Sequence, residues 1–401
     1  MKVSVVSFNY CESVKFLYEK LKEYGVEIEY CFVTEQTKDK VLQFAELVEE
    51  SSDVVFYVGG LGLSSNDVLK ETLAQRYKVD MVIQQISYDF FAKYIQTSKK
   101  IVPPDHVQQR ILAFPDGFDC YPNNFGYELS AFGRFFGKEI FLLPDNIEEC
   151  KCIFENYIKA FLDKQTKQTK TNVYKVFGLE KSEIEFKLFA ICKNKANFFV
   201  NTDIANDSKI IIKFGSKVGQ SDVDEINCSI MQEFADFLYA VDDRSLNEIA
   251  VDLLKLYKRQ LSVAESLTGG EIVASLVSVP GASEVLFEGC TTYANGAKNR
   301  RLFVKKQTLD QFGAVSQQTA YQMATGLLET SQCDVVVATT GIAGPGGGSD
   351  KKPVGLTYIA VGDLSGIHIH KYVFSGNRNQ IRQKAAKTAL FLLVKLIKIR
   401  K

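Results

Sequence analysis

Hydrophobic positions near the start of the chain alternate between short continuous runs and helical spacing. The continuous runs predict strands at 3–7, 26–33 and 53–58. Between them, helical spacing predicts helices at 14–24 and 38–50. This β-α-β-α-β order is typical of a mostly parallel sheet with helices on both faces, so the pattern predicts an α/β domain.

A glycine-rich turn, Gly59-Gly60-Leu61-Gly62, follows the third predicted strand directly. Bare N–H groups at the carboxyl end of a parallel sheet can hold a phosphate or a nucleotide. The turn does not fit the GxGxxG pattern of dinucleotide-binding loops, and a tight turn needs glycine for its own backbone reasons. These residues alone are consistent with either a plain turn or a ligand-binding loop.

Two further regions follow a polar segment at 163–171, which contains no apolar residue and is the predicted linker. From about 173 to 239 the pattern predicts a smaller α+β unit. Its strands and helices are predicted at 173–176, 210–214, 183–192 and 222–238. Nothing in this unit suggests catalysis.

The α/β pattern returns from residue 245 to the end of the chain. Strands and a closing helix are predicted at 261–264, 334–340, 355–361, 368–374 and 379–398. We therefore expect an α/β protein of three domains, at 1–165, 171–241 and 244–401.

Composition and charge exclude several classes of function. The formal net charge is zero, so direct nucleic-acid binding is not expected. No apolar run approaches the roughly 20 residues of a membrane span. Nine scattered cysteines without a disulfide framework indicate a reducing compartment, so we expect a cytoplasmic protein with no membrane partner. Only three histidines occur, which disfavours a histidine-based metal site, and no metal ligands are predicted.

Ser266 lies where an apolar run ends and a helical pattern begins, in the segment LSVAESLTGG at 261–270. Thr268 and Glu271 have the spacing of a capping box, which predicts a helix that starts just after Thr268. A serine at such a turn can act as a nucleophile, because the free N–H groups of Thr268, Gly269 and Gly270 could hold an oxyanion. The alternative is that Ser266 and Thr268 only cap the helix.

Three other segments carry candidate chemistry. Tyr293 and Lys298 lie five residues apart, and both groups suit proton transfer to or from one hydroxyl. A partly buried lysine can lose its proton and activate a serine, and Tyr293 could help to relay that proton. The glycine run at 341–348 follows a predicted buried strand and could cradle an anion, although it is not a Walker A loop. Arg378 could supply a cation to a phosphate. The alternatives are that Lys298 is a surface lysine, Tyr293 a packed side chain, the glycine run a flexible loop and Arg378 a surface arginine.

Five segments together resemble the CinA family of competence/damage-inducible proteins, in its C-terminal nicotinamide-nucleotide amidase (PncC-like) domain. These segments are AESLTGG at 264–270, TTYANGAK at 291–298, FGAVS at 312–316, TTGIAGPGGGSDKKPVG at 339–355 and SGNR at 375–378. The resemblance extends upstream, where it implies a molybdopterin-binding-like N-terminal domain and a small KH-like middle domain.

The resemblance implies hydrolysis of nicotinamide mononucleotide to nicotinic acid mononucleotide and ammonia, which salvages the nucleotide for NAD synthesis. The family's serine, tyrosine and lysine match Ser266, Tyr293 and Lys298. Its glycine loop matches 341–348, and the arginine of its GDR motif matches Arg378. We expect the substrate phosphate to be held by Gly344, Gly346, Gly347, Gly348 and Arg378. The resemblance implies no cofactor for the amidase, a small pyridine nucleotide as the partner, and a homo-oligomer, expected to be a dimer.

The N-terminal domain departs from the family's pattern. The family's GGLGPTxDD motif reads GGLGLSSND here, with Gly60 and Gly62 retained, Asn66 in place of one carboxylate, and Asp67. The family's domain is associated with metal-dependent ADP-ribose pyrophosphatase activity. Because a divalent cation needs several hard oxygen ligands, we expect a vestigial site with weak or no activity. There are two alternative functions. One is a working pyrophosphatase that uses a divalent metal, and the other is a non-catalytic nucleotide-sensing or competence accessory protein.

Overall fold

The computed structural model describes residues 1–62, 64, 66–98, 102–165, 170–215 and 217–399. The chain divides into two compact units, 1–169 and 170–401. The central part of the predicted linker, 166–169, lies outside the described residues. Within the described ranges, no helix combines the length and the apolar character needed to cross a membrane.

The first unit is built around a six-stranded sheet. Its strands are β1 (Lys2–Ser7), β2 (Glu27–Val33), β3 (Val54–Val58), β6 (Phe118–Tyr121), β7 (Ser130–Phe135) and β8 (Lys138–Leu143), with a separate two-stranded pair of β4 (Met81–Ile83) and β5 (Ala113–Pro115). The order in the sheet is β2-β1-β3-β8-β7-β6, parallel from β2 to β8 and antiparallel beyond. The predicted mostly parallel sheet is confirmed.

Helices cover both faces of this sheet. They are α1 (Glu12–Glu23), α2 (Lys38–Ser51), α3 (Leu69–Tyr77), α4 (Gln85–Ser98), α5 (Asp105–Leu112), α6 (Ile147–Ile153) and α7 (Lys159–Gln165), with a π-helical turn at Phe154–Ile158. Side chains alternate along β3, so Val55 and Tyr57 pack in the core with α2 and α3. Val54 and Phe56 pack on the opposite side, with α1 and the helices after β8.

The second unit begins with an antiparallel α+β domain. Its elements are β9 (Lys170–Phe177), α8 (Lys181–Cys192), β10 (Ala196–Thr202), β11 (Asp207–Phe214), α9 (Gln220–Glu233) and β12 (Leu238–Ala240). The order in the sheet is β10-β11-β9-β12, and both helices pack their apolar side chains into one core with it. The helix predicted at 222–238 was too long, because Leu238 pairs with Val176 of β9 in the sheet ladder. The KH-like classification stays a prediction.

The remainder of the second unit is a five-stranded α/β domain. Its strands are β13 (Leu261–Glu265), β14 (Leu286–Thr291), β15 (Val335–Gly341), β16 (Leu356–Asp363) and β17 (Gly366–Val373). The order is β14-β13-β15-β16-β17, with the first three strands parallel and the rest antiparallel. Because β13 lies inside the sheet and every residue of it is buried, the turn that follows it starts from a fixed point.

Helices again cover both faces of the sheet. They are α10 (Leu246–Leu256), α11 (Glu271–Val277), α12 (Asn295–Leu302), α13 (Lys306–Phe312), α14 (Gln317–Thr330) and α15 (Arg378–Ile399), with a 3-10 turn at Ala282–Glu284. One core joins the sheet to α10, α11 and α15, and it also includes Phe177 and Tyr239 of the middle domain. A second core joins the opposite face to α14. The middle and C-terminal domains therefore share buried apolar contacts.

Candidate active site

Ser266 is the first residue after β13. Its side chain is 7% exposed, and its backbone N–H donates a hydrogen bond of 3.1 Å to the carbonyl of Thr339 on β15. On the other side, the N–H of Thr292 after β14 donates to the carbonyl of Glu265 at 2.8 Å. Bonds to both neighbouring strands fix the backbone that presents the Ser266 hydroxyl.

Lys298 reaches Ser266 from helix α12. Its side chain is fully buried, and its Nζ lies 2.9 Å from Ser266 Oγ. The same nitrogen donates to the carbonyls of Thr292, at 2.7 Å, and Tyr293, at 3.0 Å. The structure thus brings together two residues that lie 32 positions apart in the sequence.

Burial controls the protonation of Lys298. Removal of the ammonium from water lowers the pKa of Lys298 from 10.5 to about 8. All three hydrogen-bond partners of Nζ are uncharged oxygens, so none of them restores the charged form. A neutral amine has two N–H bonds and one lone pair. The two carbonyls can take the N–H bonds, which leaves the lone pair directed at the Ser266 hydroxyl.

Helix α11 does not begin as the capping-box pattern predicted. It starts at Glu271, its N-cap is Gly270, and that residue provides no side-chain cap. Thr268 Oγ1 instead shares a hydrogen bond of 2.8 Å with Thr339 Oγ1, so the predicted capping box is wrong. The Thr268 hydroxyl thus contacts the sheet, and among the described residues it accepts no N–H from the start of α11.

Glu265 accepts the backbone N–H groups at the start of this helix, which a capping side chain would otherwise accept. Its buried carboxylate accepts hydrogen bonds from the N–H groups of Gly270 (2.8 Å), Ile272 (3.3 Å) and Val273 (3.0 Å). The role of Glu265 was not predicted from the sequence. The signal that could have identified it is an acidic residue at the end of a buried apolar run. The Gly270 N–H is therefore occupied, which contradicts its predicted availability to an oxyanion.

The turn between Ser266 and α11 retains other candidate oxyanion donors. In the described part of the chain, no residue accepts a hydrogen bond from the backbone N–H of Thr268 or Gly269. Gly269 and Gly270 have φ of +65° and +99°, a conformation that glycine adopts without strain. Arg382 donates to the Thr268 carbonyl at 2.9 Å, so α15 also holds this turn. Spacing in the sequence gave no sign of that contact.

Tyr293 points away from the serine–lysine pair. Its ring is 61% exposed, and its hydroxyl accepts a hydrogen bond of 3.0 Å from Arg378. The same guanidinium donates to the Gly344 carbonyl at 2.6 Å. Among the described residues, the Tyr293 hydroxyl has no hydrogen bond to Ser266 or Lys298. Its backbone carbonyl accepts a hydrogen bond from the lysine.

The glycine run after β15 forms an open loop next to Arg378. Its base is fixed by hydrogen bonds from Ile342 N–H to the Leu356 carbonyl (2.9 Å) and from Gly355 N–H to the Ile342 carbonyl (2.7 Å). Within the described ranges, the N–H groups of Gly346, Gly347 and Gly348 donate to no other residue. The structure therefore joins Tyr293, Arg378 and this loop into one polar group.

The N-terminal motif forms a second, separate polar group in the first unit. The Asp67 carboxylate accepts the Ser64 N–H at 2.6 Å, and a Cβ built on Gly62 would lie 2.8 Å from Glu128 and 3.1 Å from Asp67. Burial raises the pKa of Glu128 to about 7, and Glu149 has a similarly raised pKa for the same main reason. Neither Glu128 nor Glu149 was predicted from the sequence.

The predicted motif residues are placed as follows. Gly60 has φ of +78°, and Asn66 is exposed. Leu63 and Ser65 of the motif lie outside the described residues. No group of three or more His, Cys, Asp or Glu side chains in the described part is arranged to hold a metal ion.

Two family models match this chain. The model described as "CinA C-terminal domain" matches residues 243–397, and the model described as "Probable molybdopterin binding domain" matches residues 12–164. The first match contains Ser266, Lys298, the glycine loop and Arg378.

Relatives match nearly the whole chain. A Caldicellulosiruptor saccharolyticus protein named "Putative competence-damage inducible protein" is 31% identical over 96% of this chain and 94% of its own length. A "CinA-like protein" of Kosmotoga olearia is 30% identical over 94% of this chain and 92% of its own. The crystal structure of competence/damage inducible protein CihA from Agrobacterium tumefaciens is 42% identical, covers 38% of this chain and 93% of that one, and has a TM-score of 0.37.

Proposed function

Because this chain belongs to the CinA family of competence-damage inducible proteins, we propose that its C-terminal domain is a nicotinamide-nucleotide amidase. The substrate is nicotinamide mononucleotide, and the products are nicotinic acid mononucleotide and ammonia. The contact of 2.9 Å between a fully buried Lys298 and Ser266 carries this proposal. A lysine with a pKa near neutrality is the activator that a serine needs where no histidine is present.

In the first step, the Ser266 oxygen attacks the carboxamide carbon while Lys298 Nζ takes the hydroxyl proton. A bond forms between Oγ and carbon, and the carbonyl oxygen becomes an oxyanion. The N–H groups of Thr268 and Gly269 stabilise that charge, because they are free of other partners among the described residues. The occupied N–H of Gly270 has no part in this step.

In the second step, the carbon–nitrogen bond breaks and Lys298 returns its proton to the departing nitrogen. Ammonia leaves, and an ester joins Ser266 to the nicotinoyl group. Water then attacks the ester carbon while Lys298 takes a proton from the water. Breakage of the ester returns the proton to Ser266 and releases the acid, so atoms and protons balance without a cofactor or a metal ion.

The substrate phosphate binds to Arg378 and the glycine loop. The Arg378 guanidinium contacts only a carbonyl and a hydroxyl among the described residues, so no carboxylate neutralises it. The N–H groups of Gly346, Gly347 and Gly348 add donors suited to an anion. The Tyr293 hydroxyl orients Arg378, and its contact supports a positioning role for Tyr293 in place of the proton relay expected from spacing.

Ser266→Ala tests the proposal. The variant lacks the nucleophile, so ammonia release from nicotinamide mononucleotide falls by about 10⁴-fold or more. Ser275→Ala, on the neighbouring helix, is the matched control and retains wild-type turnover. Wild-type ammonia release by Ser266→Ala would refute the assignment of the nucleophile.

A further inference from the structure

A cavity of about 630 Å³ lies between the middle domain and the C-terminal domain, inside the second compact unit. Middle-domain residues form one wall, and β17, the segment after it and α15 form the other. Ser266, Lys298 and Arg378 do not line it. Its size is within the roughly 300–1,000 Å³ of sites that hold small molecules. This cavity is therefore distinct from the candidate active site.

Phenylalanine and tyrosine rings from both domains line the cavity. Tyr372 and Phe374 stack with ring centroids 5.3 Å apart and an interplanar angle of 11°. Phe177 of the middle domain packs against Phe391 of α15 with centroids 5.0 Å apart. Phe237 lines the same space. Rings presented by both domains suit a flat heterocycle, because a nucleobase stacks on aromatic side chains.

The charged side chains that line the cavity differ in whether they already have a protein partner. Lys395 donates to the Asp236 carbonyl at 3.1 Å and lies 3.9 Å from its carboxylate. Glu180 accepts a hydrogen bond from Asn206 at 3.0 Å. Lys384 is half-buried and donates to the Ser375 carbonyl at 2.8 Å, but no described carboxylate lies within ion-pair distance of it. Lys384 is thus the cation available to an anionic ligand.

We propose that this cavity is a binding site for a mononucleotide, with the base against the aromatic rings and the phosphate on Lys384. The remaining polar atoms of Glu180 and Asn206 can bond the edge of the base, and lysine is a common phosphate ligand. The inference goes beyond the amidase and does not depend on it, because binding is measured without turnover.

The absence of tryptophan from the chain makes a direct test possible. Phe237→Trp keeps a ring in the cavity wall and places the single indole of the full-length protein there. AMP is the probe, and adenosine is the matched probe without a phosphate. We expect AMP to shift the indole emission saturably and to bind at least about tenfold more tightly than adenosine.

Lys384→Met in the reporter background identifies the phosphate contact. We expect the preference for AMP over adenosine to fall below about threefold, because the cation is lost while the rings remain. Lys371→Met, at an exposed position of β17 that does not line the cavity, keeps the full preference. Arg378→Ala also keeps AMP affinity, since it alters only the candidate active site.

Three results would overturn the proposal. They are an emission unchanged by millimolar AMP, a preference for AMP that survives Lys384→Met, and AMP binding abolished by Arg378→Ala. Equilibrium dialysis of radiolabelled AMP against Arg378→Ala, with and without Lys384→Met, gives the same decision without the reporter substitution, because the phosphate contact of the candidate active site is then absent.

Discussion

The protonation of one lysine decides the chemistry of the candidate site. Among the described residues, Lys298 Nζ has no carboxylate partner, and its hydrogen-bond partners are a serine hydroxyl and two carbonyls. Its pKa of about 8 follows from burial alone. A lysine near a carboxylate would stay charged and could not accept the serine proton, so the lack of charge around Nζ is the feature that makes it a base.

The pH dependence of the amidase follows from this pKa. Because neutral Lys298 is the active form, kcat/KM rises about tenfold per pH unit below pH 8 and levels off above it. Initial rates between pH 6 and 9.5 with nicotinamide mononucleotide measure this. A rate that is flat or falls with rising pH over that range contradicts Lys298 as the base.

Tyr293→Phe separates positioning from proton transfer. The variant loses the hydroxyl that contacts Arg378 but keeps the backbone carbonyl that contacts Lys298. Water competes for this exposed hydrogen bond, so its loss costs about 0.5–1.5 kcal/mol, and KM rises about 2- to 10-fold while kcat and its pH profile stay near wild type.

Tyr321→Phe, an exposed tyrosine of α14, is the control for Tyr293→Phe and changes neither constant. A large fall in kcat with an altered pH profile in Tyr293→Phe would restore the relay role.

At the scale of elements, the turn between β13 and α11 depends on one buried carboxylate. Glu265 accepts three backbone N–H groups at the start of α11, while Gly269 and Gly270 give the turn its left-handed backbone. Arg382 of α15 holds the same turn through the Thr268 carbonyl. The backbone that follows Ser266 is thus held by its own strand and by a helix more than a hundred residues away in sequence.

Glu265→Gln weakens the start of α11. The amide replaces one acceptor oxygen with a donor that faces N–H groups, and loss of a charge-assisted bond costs about 1.5–3 kcal/mol. Hydrogen exchange in peptides that cover 266–277 therefore accelerates by about 10- to 100-fold. Glu329→Gln, the same substitution at an exposed position of α14, leaves that exchange within about threefold of wild type. Equal protection in both variants contradicts the role given to Glu265.

Prediction from sequence was strongest where periodicity is strong. Buried apolar runs predicted β3, β13 and β15, because strands buried on both faces read as continuous hydrophobic segments. It failed at β12, whose three residues belong to the sheet only through pairing with β9. It also failed at Thr268, where a residue on another strand decides the hydrogen bond.

The candidate site was predictable in part. Residue types and a family resemblance identified Ser266, Lys298 and Arg378, and the structure brings the first two into hydrogen-bond contact. The direction of the Tyr293 ring could not be read from its spacing to Lys298, because Tyr293 precedes α12 and its hydroxyl contacts Arg378, which lies 85 residues away in the sequence. Glu265 and Arg382 act through the backbone, which a search for reactive side chains does not detect.

At the scale of the whole molecule, the two compact units carry different polar groups. The first unit contains the Gly60–Gly62 turn with Asp67, Glu128 and Glu149, for which we maintain the proposal of weak or no metal-dependent pyrophosphatase activity. The second unit contains the serine–lysine pair and the cavity next to the middle domain. Because the proposed amidase reaction needs no ion, metal dependence distinguishes chemistry in one unit from chemistry in the other.

Ammonia release from nicotinamide mononucleotide, with and without EDTA, is the most direct test of the central claim. The full-length wild type, Lys298→Met and the exposed-site control Lys306→Met are compared. We predict equal activity with and without EDTA in wild type and control, and a loss of at least about 10³-fold in Lys298→Met. Activity that EDTA abolishes, or that Lys298→Met retains, would contradict the serine–lysine amidase.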